Sequence, residues 1–476
     1  MGKVVASGSA QHEPFNSPRP GWAEQDPRDW WRACRLAVGE ALHSASLRAE
    51  EITCVGFSGQ MHGAVLLDAN AEVVRNAIIW CDQRSERQSH ALAQGFAAGE
   101  LIRLTANPAL PNFTLTKLLW VRENEPESWT RTVHVLLPKD YVRFRLTGER
   151  AIDVADASGT LLLDVAGRHW SAEVLSRTGI DNRWLPALYE SPQVCGRVSS
   201  AGAEATGLRA GTPVVAGAGD QAAGAIGMGI ARAGAVSATI GTSGVVFAAT
   251  DRPALDPQGR LHTFCHAIPG RWHVMGVTQA AGLSLRWFRD RFGAATKDGR
   301  DPYDCLAEEA SSAPPGSGGA FWVPYLMGER TPHLDPNARA ALLGLTTSHT
   351  RGHVIRAIME GVAYSLKDTF MIFEQMRIPV TSIRLGGGGA RSALWRQIQA
   401  DIYGREVEIV AAEEGAAYGA AILAGTGAGA WTSVEEACDK VVRVASRITP
   451  DREGLQVMQR AYATYRKIYP ALRQVF

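Results

Sequence analysis

Val236-Ser-Ala-Thr-Ile-Gly-Thr-Ser-Gly-Val-Val-Phe-Ala248 is the stretch on which the fold turns. Two apolar, β-branched runs, Ser237 to Ile240 and Val245 to Ala248, flank a turn of Gly, Thr and Ser. That pattern reads as strand, tight turn, strand. Residues 233 to 250 carry no charge, but Gly, Ser and Thr fill much of the stretch, so it is no membrane span.

Further strand-like runs are Ile52 to Phe57, Ala64 to Leu67, Pro213 to Ala216 and Ser382 to Leu385, and Met1 to Ser7 also reads as a strand. Helical patterns occupy Asp29 to His43, Ala222 to Ile230, His353 to Glu374 and Ala393 to Tyr403. Asp26-Pro27 ahead of Trp30-Trp31 is a helix start, with a cap residue and then proline in the first turn. Alternation of this kind specifies an α/β class. A chain of 476 residues exceeds what one core can fill, so two or three domains are expected. The Val236 to Ala248 hairpin resembles those that open each domain of the actin-like, ribonuclease-H-like ATPase fold, in which two related domains clamp a nucleotide across a catalytic cleft.

Composition narrows the partners. There are 49 Lys+Arg against 48 Asp+Glu, so no basic footprint for nucleic acid or an anionic membrane exists. Seven scattered cysteines without a CxxC pair argue against a disulfide framework or a zinc site, and a cytoplasmic setting is expected.

Five segments carry candidate chemistry. In Ile240-Gly241-Thr242-Ser243-Gly244, glycines let backbone N–H groups approach an anion and two hydroxyls add donors; an ordinary hairpin turn would read the same. Leu385-Gly386-Gly387-Gly388-Gly389-Ala390-Arg391-Ser392 lies between a strand and a helix. Close approach of a nucleotide to a helix N-terminus explains four glycines better than a flexible loop does. Gly217-Ala218-Gly219-Asp220-Gln221 ends a buried strand and presents a carboxylate at the head of a small-residue helix. Asp220 reads as a catalytic base or as the helix cap, and a cap position would lower its pKa. Ser58-Gly59-Gln60-Met61-His62-Gly63 follows a strand, where ligands bind in α/β sheets, and Gln60 and His62 suit sugar hydroxyls. Gly328-Glu329-Arg330-Thr331-Pro332-His333 reads locally as a solvated turn.

Taken in order, these motifs resemble the FGGY carbohydrate kinases, most closely the xylulokinases. The resemblance also takes in Gly21 to Pro27, Leu137-Pro138-Lys139-Asp140-Tyr141, Pro324-Tyr325-Leu326 and the signature-like run from Ala340 to Glu360. It implies a sugar-binding domain over 1–229 and a nucleotide-binding domain over 230–476. It implies ATP and Mg²⁺, and transfer of the γ-phosphoryl to the terminal hydroxyl of D-xylulose, with another ketose or polyol, or a silent binding protein, left as alternatives. Asp220 then takes the hydroxyl proton. Met61, His62, Gln60 and Asp220 bind sugar. Gly241, Thr242 and Ser243 bind phosphate, and Gly387, Gly388 and Ser392 the adenosine. The expected partners are sugar and ATP, with a homodimer left open. Members of that family begin with a strand, an Asp-x-Gly-Thr turn and a second strand. This sequence starts after that point, so the Mg²⁺-positioning residue is unassigned. An open sheet edge and half a phosphate cradle are expected, with much reduced turnover from these 476 residues. Ordinary turnover in an ADP-release assay would refute that expectation.

Overall fold

The computed structural model describes residues 2–293, 299–412 and 415–476. Its organising element is a seven-stranded sheet in the C-terminal half. The spatial order is His262–Cys265, Trp272–Thr278, Gly244–Thr250, Ala235–Ile240, Ser382–Gly386, Val407–Val410 and Val444–Ile448. The hairpin forms as expected. Val236 pairs with Ala248 and Ile240 with Gly244, which leaves Gly241 to Ser243 as the turn. Ala235–Ile240 then runs parallel to Ser382–Gly386, and that strand runs parallel to Val407–Val410. The crossover between these last two is the Ala393–Tyr403 helix, with Ser392 as its N-cap.

Helix Arg351–Gln375 lies across this half and supplies its core. Ile355, Ile358, Val362, Leu366 and Phe373 pack with Val236, Ala238, Ile240, Val246 and Leu385. Tyr462, Tyr465 and Tyr469 of the last helix, Arg452–Leu472, close the same core.

The N-terminal half repeats part of this order. Val55 bridges Val214 in parallel, and Ser58–Gly59 runs parallel to Ala218–Gly219. Pro213–Val215 then pairs antiparallel with Val194–Arg197. Among the described residues, no strand pairs with the other edge of the Val55 to Gly59 run. That edge lines a cavity of 550 Å³ together with Trp31, Leu146, Leu208 and Ala416. With one edge paired, Ile52 to Phe57 makes only a bridge at Val55, short of the full strand its composition predicts. The strand expected at the N-terminus does not form over 2–7, which is irregular, and Met1 lies outside the described residues.

The halves meet at several places, two of which are apolar and bear on the site. Phe113, Leu115 and Leu118 share a core with Phe247, Phe264 and Met275. Helix Asp220–Gly227 crosses helix Gly415–Gly427 so closely that a Cβ at Gly419 would sit 1.8 Å from the Ala223 carbonyl oxygen. No described helix is long and apolar enough to cross a membrane.

Candidate active site

The sugar-side candidates cluster where Ser58–Gly59 and Ala218–Gly219 end side by side. His62 adopts φ 67°, a left-handed conformation that costs energy for a side chain with a Cβ and needs support from its surroundings. The support is visible. The His62 carbonyl accepts from Thr114 Oγ1 at 3.0 Å and from Lys117 Nζ at 3.3 Å. The ring packs edge-on against Phe113 at 5.0 Å. Its Nδ1 lies 2.8 Å from the Gly159 carbonyl oxygen. A carbonyl only accepts, so Nδ1 carries the proton. Burial drives the His62 pKa down to about 3, so the ring is neutral near pH 7. Nε2 therefore keeps a lone pair, suited to a substrate hydroxyl.

Met61 is buried beside the carboxylate strand. A Cβ on Gly219 would lie 2.7 Å from Met61 Cγ and 3.1 Å from Asp156 Oδ1, so glycine there lets three groups converge. Gln60 donates from Nε2 to Gln25 Oε1 at 2.9 Å, while its own Oε1 is buried and without a partner. A buried unpaired amide oxygen is costly, which suits a ligand contact.

Asp220 is the first residue of its helix, and Gly219 is the N-cap. The capping role read from the sequence therefore falls to Gly219, whose backbone is extended at ψ 156°. The helix is shorter than expected, ending at Gly227 and not Ile230. The direction of the pKa shift is also reversed. Burial raises the Asp220 carboxyl above its ordinary value, outweighing the bonds from Gln221 and the backbone. No Lys, Arg or His of the described residues makes an ion pair with it, and its one side-chain bond comes from Gln221 Nε2 at 3.4 Å.

Beneath this floor lies a buried charge network built around Lys139. Lys139 Nζ contacts Asp140 at 2.5 Å, Asp153 at 2.7 Å and Asp156 at 3.5 Å, and Arg143 reaches Asp140 at 3.0 Å. Burial raises Asp153 and Asp156, with Lys139 opposing. Lys139-Asp140 was visible as a motif. Asp153 and Asp156 stand among the apolar Ala151, Ile152, Val154, Ala155 and Ala157, and Lys117 is a lone cation within the apolar run Leu115 to Val121; charge inside an apolar run was the available signal for all three.

The nucleotide-side candidates gather at the other half's sheet. A cavity of 510 Å³ is lined by Gly241, Thr242, Gly388, Gly389, Ser392 and Trp395, with Gly282, Arg286, Asp301 and Tyr303 completing the wall. The Gly282 N–H donates to Gly241 O at 2.8 Å, so the turn seats on the start of the Gly282–Phe292 helix. Gly387 and Ser243 lie outside this lining. Gly387, at φ 72°, packs onto the neighbouring strand, where a Cβ would fall 2.5 Å from Ile240 O. Its glycine is explained by backbone contact. Ser392 Oγ accepts from Trp395 N at 3.3 Å.

The Glu329-Arg330 segment is not a solvated turn. The Glu329 carboxyl is buried and accepts from Thr278 Oγ1, from Gln279 N at 3.0 Å and from Arg330 N at 2.7 Å. Burial pushes its pKa up to about 8.

Comparison with known proteins places this geometry. Residues 1–227 match the N-terminal domain, and 236–428 the C-terminal domain, of the FGGY family of carbohydrate kinases. The chain is 39% identical over 468 residues to a xylulose kinase of Bacillus subtilis, covering 98% of this chain and 92% of that one. A xylulose kinase of Escherichia coli is 39% identical over 473 residues, covering 99% and 95%. A crystal structure of a kinase from Brucella ovis, titled a "xyloylose kinase", superposes with TM-score 0.90 at 37% identity, over 99% of this chain and 94% of that one. The two-domain, actin-like fold and the phosphotransfer class follow, and the chain belongs to the FGGY family of carbohydrate kinases.

Proposed function

We propose that this kinase transfers the γ-phosphoryl of ATP to the terminal hydroxyl of D-xylulose, yielding D-xylulose 5-phosphate and ADP. Asp220 accepts the hydroxyl proton as the O–P bond forms and the bond to ADP breaks. The observation that carries this reading is the Asp220 carboxylate, without an ion pair among the described residues and raised by burial, beside Met61 at the end of paired strands. The xylulose kinases similar over nearly the whole chain support the choice of sugar.

Met61, His62 and Gln60 hold the sugar in this proposal. Gly241, Thr242 and Ser243 receive phosphate oxygens, and Gly387, Gly388 and Ser392 frame the adenosine, Gly387 only through backbone packing. The division of labour falls at residues 229 and 230. Catalysis in such a site is mostly positioning and charge stabilisation.

Magnesium would neutralise charge on the transferred phosphates. The residues do not form a dedicated cage for it. The one cluster of three carboxylates among the described residues, Asp140, Asp153 and Asp156, is closed by the Lys139 amine. The ion would come with the nucleotide, and no step is assigned to it. A cytoplasmic location, where ATP is supplied, belongs to the same proposal.

Asp220→Asn tests the assignment. Loss of a general base costs typically 10² to 10⁴-fold in kcat. Coupled ADP release with D-xylulose should fall by about that factor while the melting temperature holds. Undiminished turnover would remove Asp220 from the mechanism.

A further inference from the structure

The Glu329-Arg330-Thr331 segment belongs to the C-terminal half and is anchored on that half's sheet. Thr331 N donates to Val277 O at 3.0 Å, and Thr331 Oγ1 donates to Arg260 O at 2.7 Å. These bonds fix Arg330 beside the ends of two paired strands, Trp272–Thr278 and His262–Cys265. The His262 ring packs 5.6 Å from Phe113, and Phe113 packs 5.0 Å from His62. Thr331 thus ties the Arg330 segment to the residues flanking His262, whose ring belongs to the aromatic group around the sugar-side histidine.

The Arg330 guanidinium has five N–H donors and finds no hydrogen bond, ion pair or aromatic face among the described residues. Desolvation lowers its pKa, and its charge in turn depresses those of His62 and His262. Both imidazoles are neutral and provide no counter-charge. The adjacent Glu329 carboxyl is spent on three other donors and is mostly protonated at pH 7. Arg330 is only partly buried, so these donors stay open to a ligand that supplies an acceptor.

The reaction chemistry identifies that acceptor, on the reading that the substrate is a ketopentose phosphorylated at its terminal hydroxyl. The furanose ring of a 2-ketopentose closes by attack of O5 on C2. In the ring form O5 is therefore tied up, so only the open chain, with its C2 carbonyl free, can accept phosphate. A carbonyl accepts and cannot donate, while a guanidinium donates and cannot accept. We propose that Arg330 is a specificity-determining residue whose guanidinium donates to the free C2 carbonyl of the open-chain ketose. The C-terminal half then contributes directly to sugar recognition. An alditol, which has a hydroxyl at C2, gains less from Arg330.

Calorimetric titration of D-xylulose and xylitol without ATP tests this apart from turnover. Wild type should bind the ketose more tightly than the alditol. Arg330→Gln should weaken ketose binding about tenfold or more and alditol binding less than about twofold, with Arg330→Lys in between. The melting temperature of Arg330→Gln should stay level, because the partly exposed guanidinium makes no bond within the described residues. Equal losses for the two sugars, unchanged ketose affinity or a lower melting temperature would overturn the assignment. A raised KM for ATP in Arg330→Gln, with sugar affinity unchanged, would place the guanidinium at the phosphates instead and also overturn it. Failure of wild type to phosphorylate either sugar, with the binding pattern intact, would sink the kinase reading and leave this contact standing.

Discussion

Gly219→Ala adds a single methyl group at the point where Met61 and Asp220 meet. Its Cβ would lie 2.7 Å from Met61 Cγ, 3.1 Å from Asp156 Oδ1 and 3.2 Å from Met61 Sδ. Carbon–carbon contact becomes favourable only at about 3.5 to 4.0 Å, so Met61 must retreat by roughly 1 Å. Gly219 itself sits at φ −55°, open to alanine, so the backbone need not object and the effect is confined to the contact. Forcing a methyl into a packed site costs about 1 to 3 kcal/mol. A misplacement of about 1 Å in a positioning group costs on the order of 10²-fold in rate. The expected result is a fall of about that size in kcat/KM for D-xylulose. The KM for ATP should change little, since the nucleotide cavity is lined by other residues. Coupled ADP release with each substrate varied in turn reads both parameters, and a urea midpoint separates the stability loss. A folded Gly219→Ala protein with unaltered kcat/KM for the sugar would refute the claim that Met61 and Asp220 must be held in this register.

Three further outcomes follow from the same structure. The acid limb of kcat/KM against pH should lie above the ordinary aspartate value, because burial raises Asp220 and the base works only when deprotonated. No limb should appear near pH 6.5 from His62, whose pKa is about 3; a limb there would contradict its burial. Gly419→Ala should lower the urea midpoint by an amount equivalent to about 1 to 3 kcal/mol, since its Cβ would meet the Ala223 carbonyl at 1.8 Å and push the two joining helices apart. An unshifted midpoint would show that this crossing is loose.

The backbone elements that carry the candidate site were largely legible in one dimension, because they depend on nearby residues. The Val236 to Ala248 hairpin, the Ser382 strand leading to the Ala393–Tyr403 helix, and the glycine-ended strand before Asp220 announce themselves through turn residues and periodicity. These signals act over a few residues and need no distant partner. The Ile52 to Phe57 strand was less legible, because pairing on a second edge is a tertiary matter. The N-cap was misplaced by one residue, because the φ and ψ of Gly219 settle it and composition does not.

What only the folded chain decided is the electrostatics. Capping logic predicts a lowered pKa at Asp220, yet burial from both halves raises it. Glu329-Arg330 looks like a solvated turn until Thr278, Gln279 and Val277 draw it inside. Lys139 meets Asp153 and Asp156 only because helix and strand ends converge beneath the floor. Residue type and spacing named the candidate groups for the reaction. Desolvation is a property of everything packed around a group, and it sets which of them are charged.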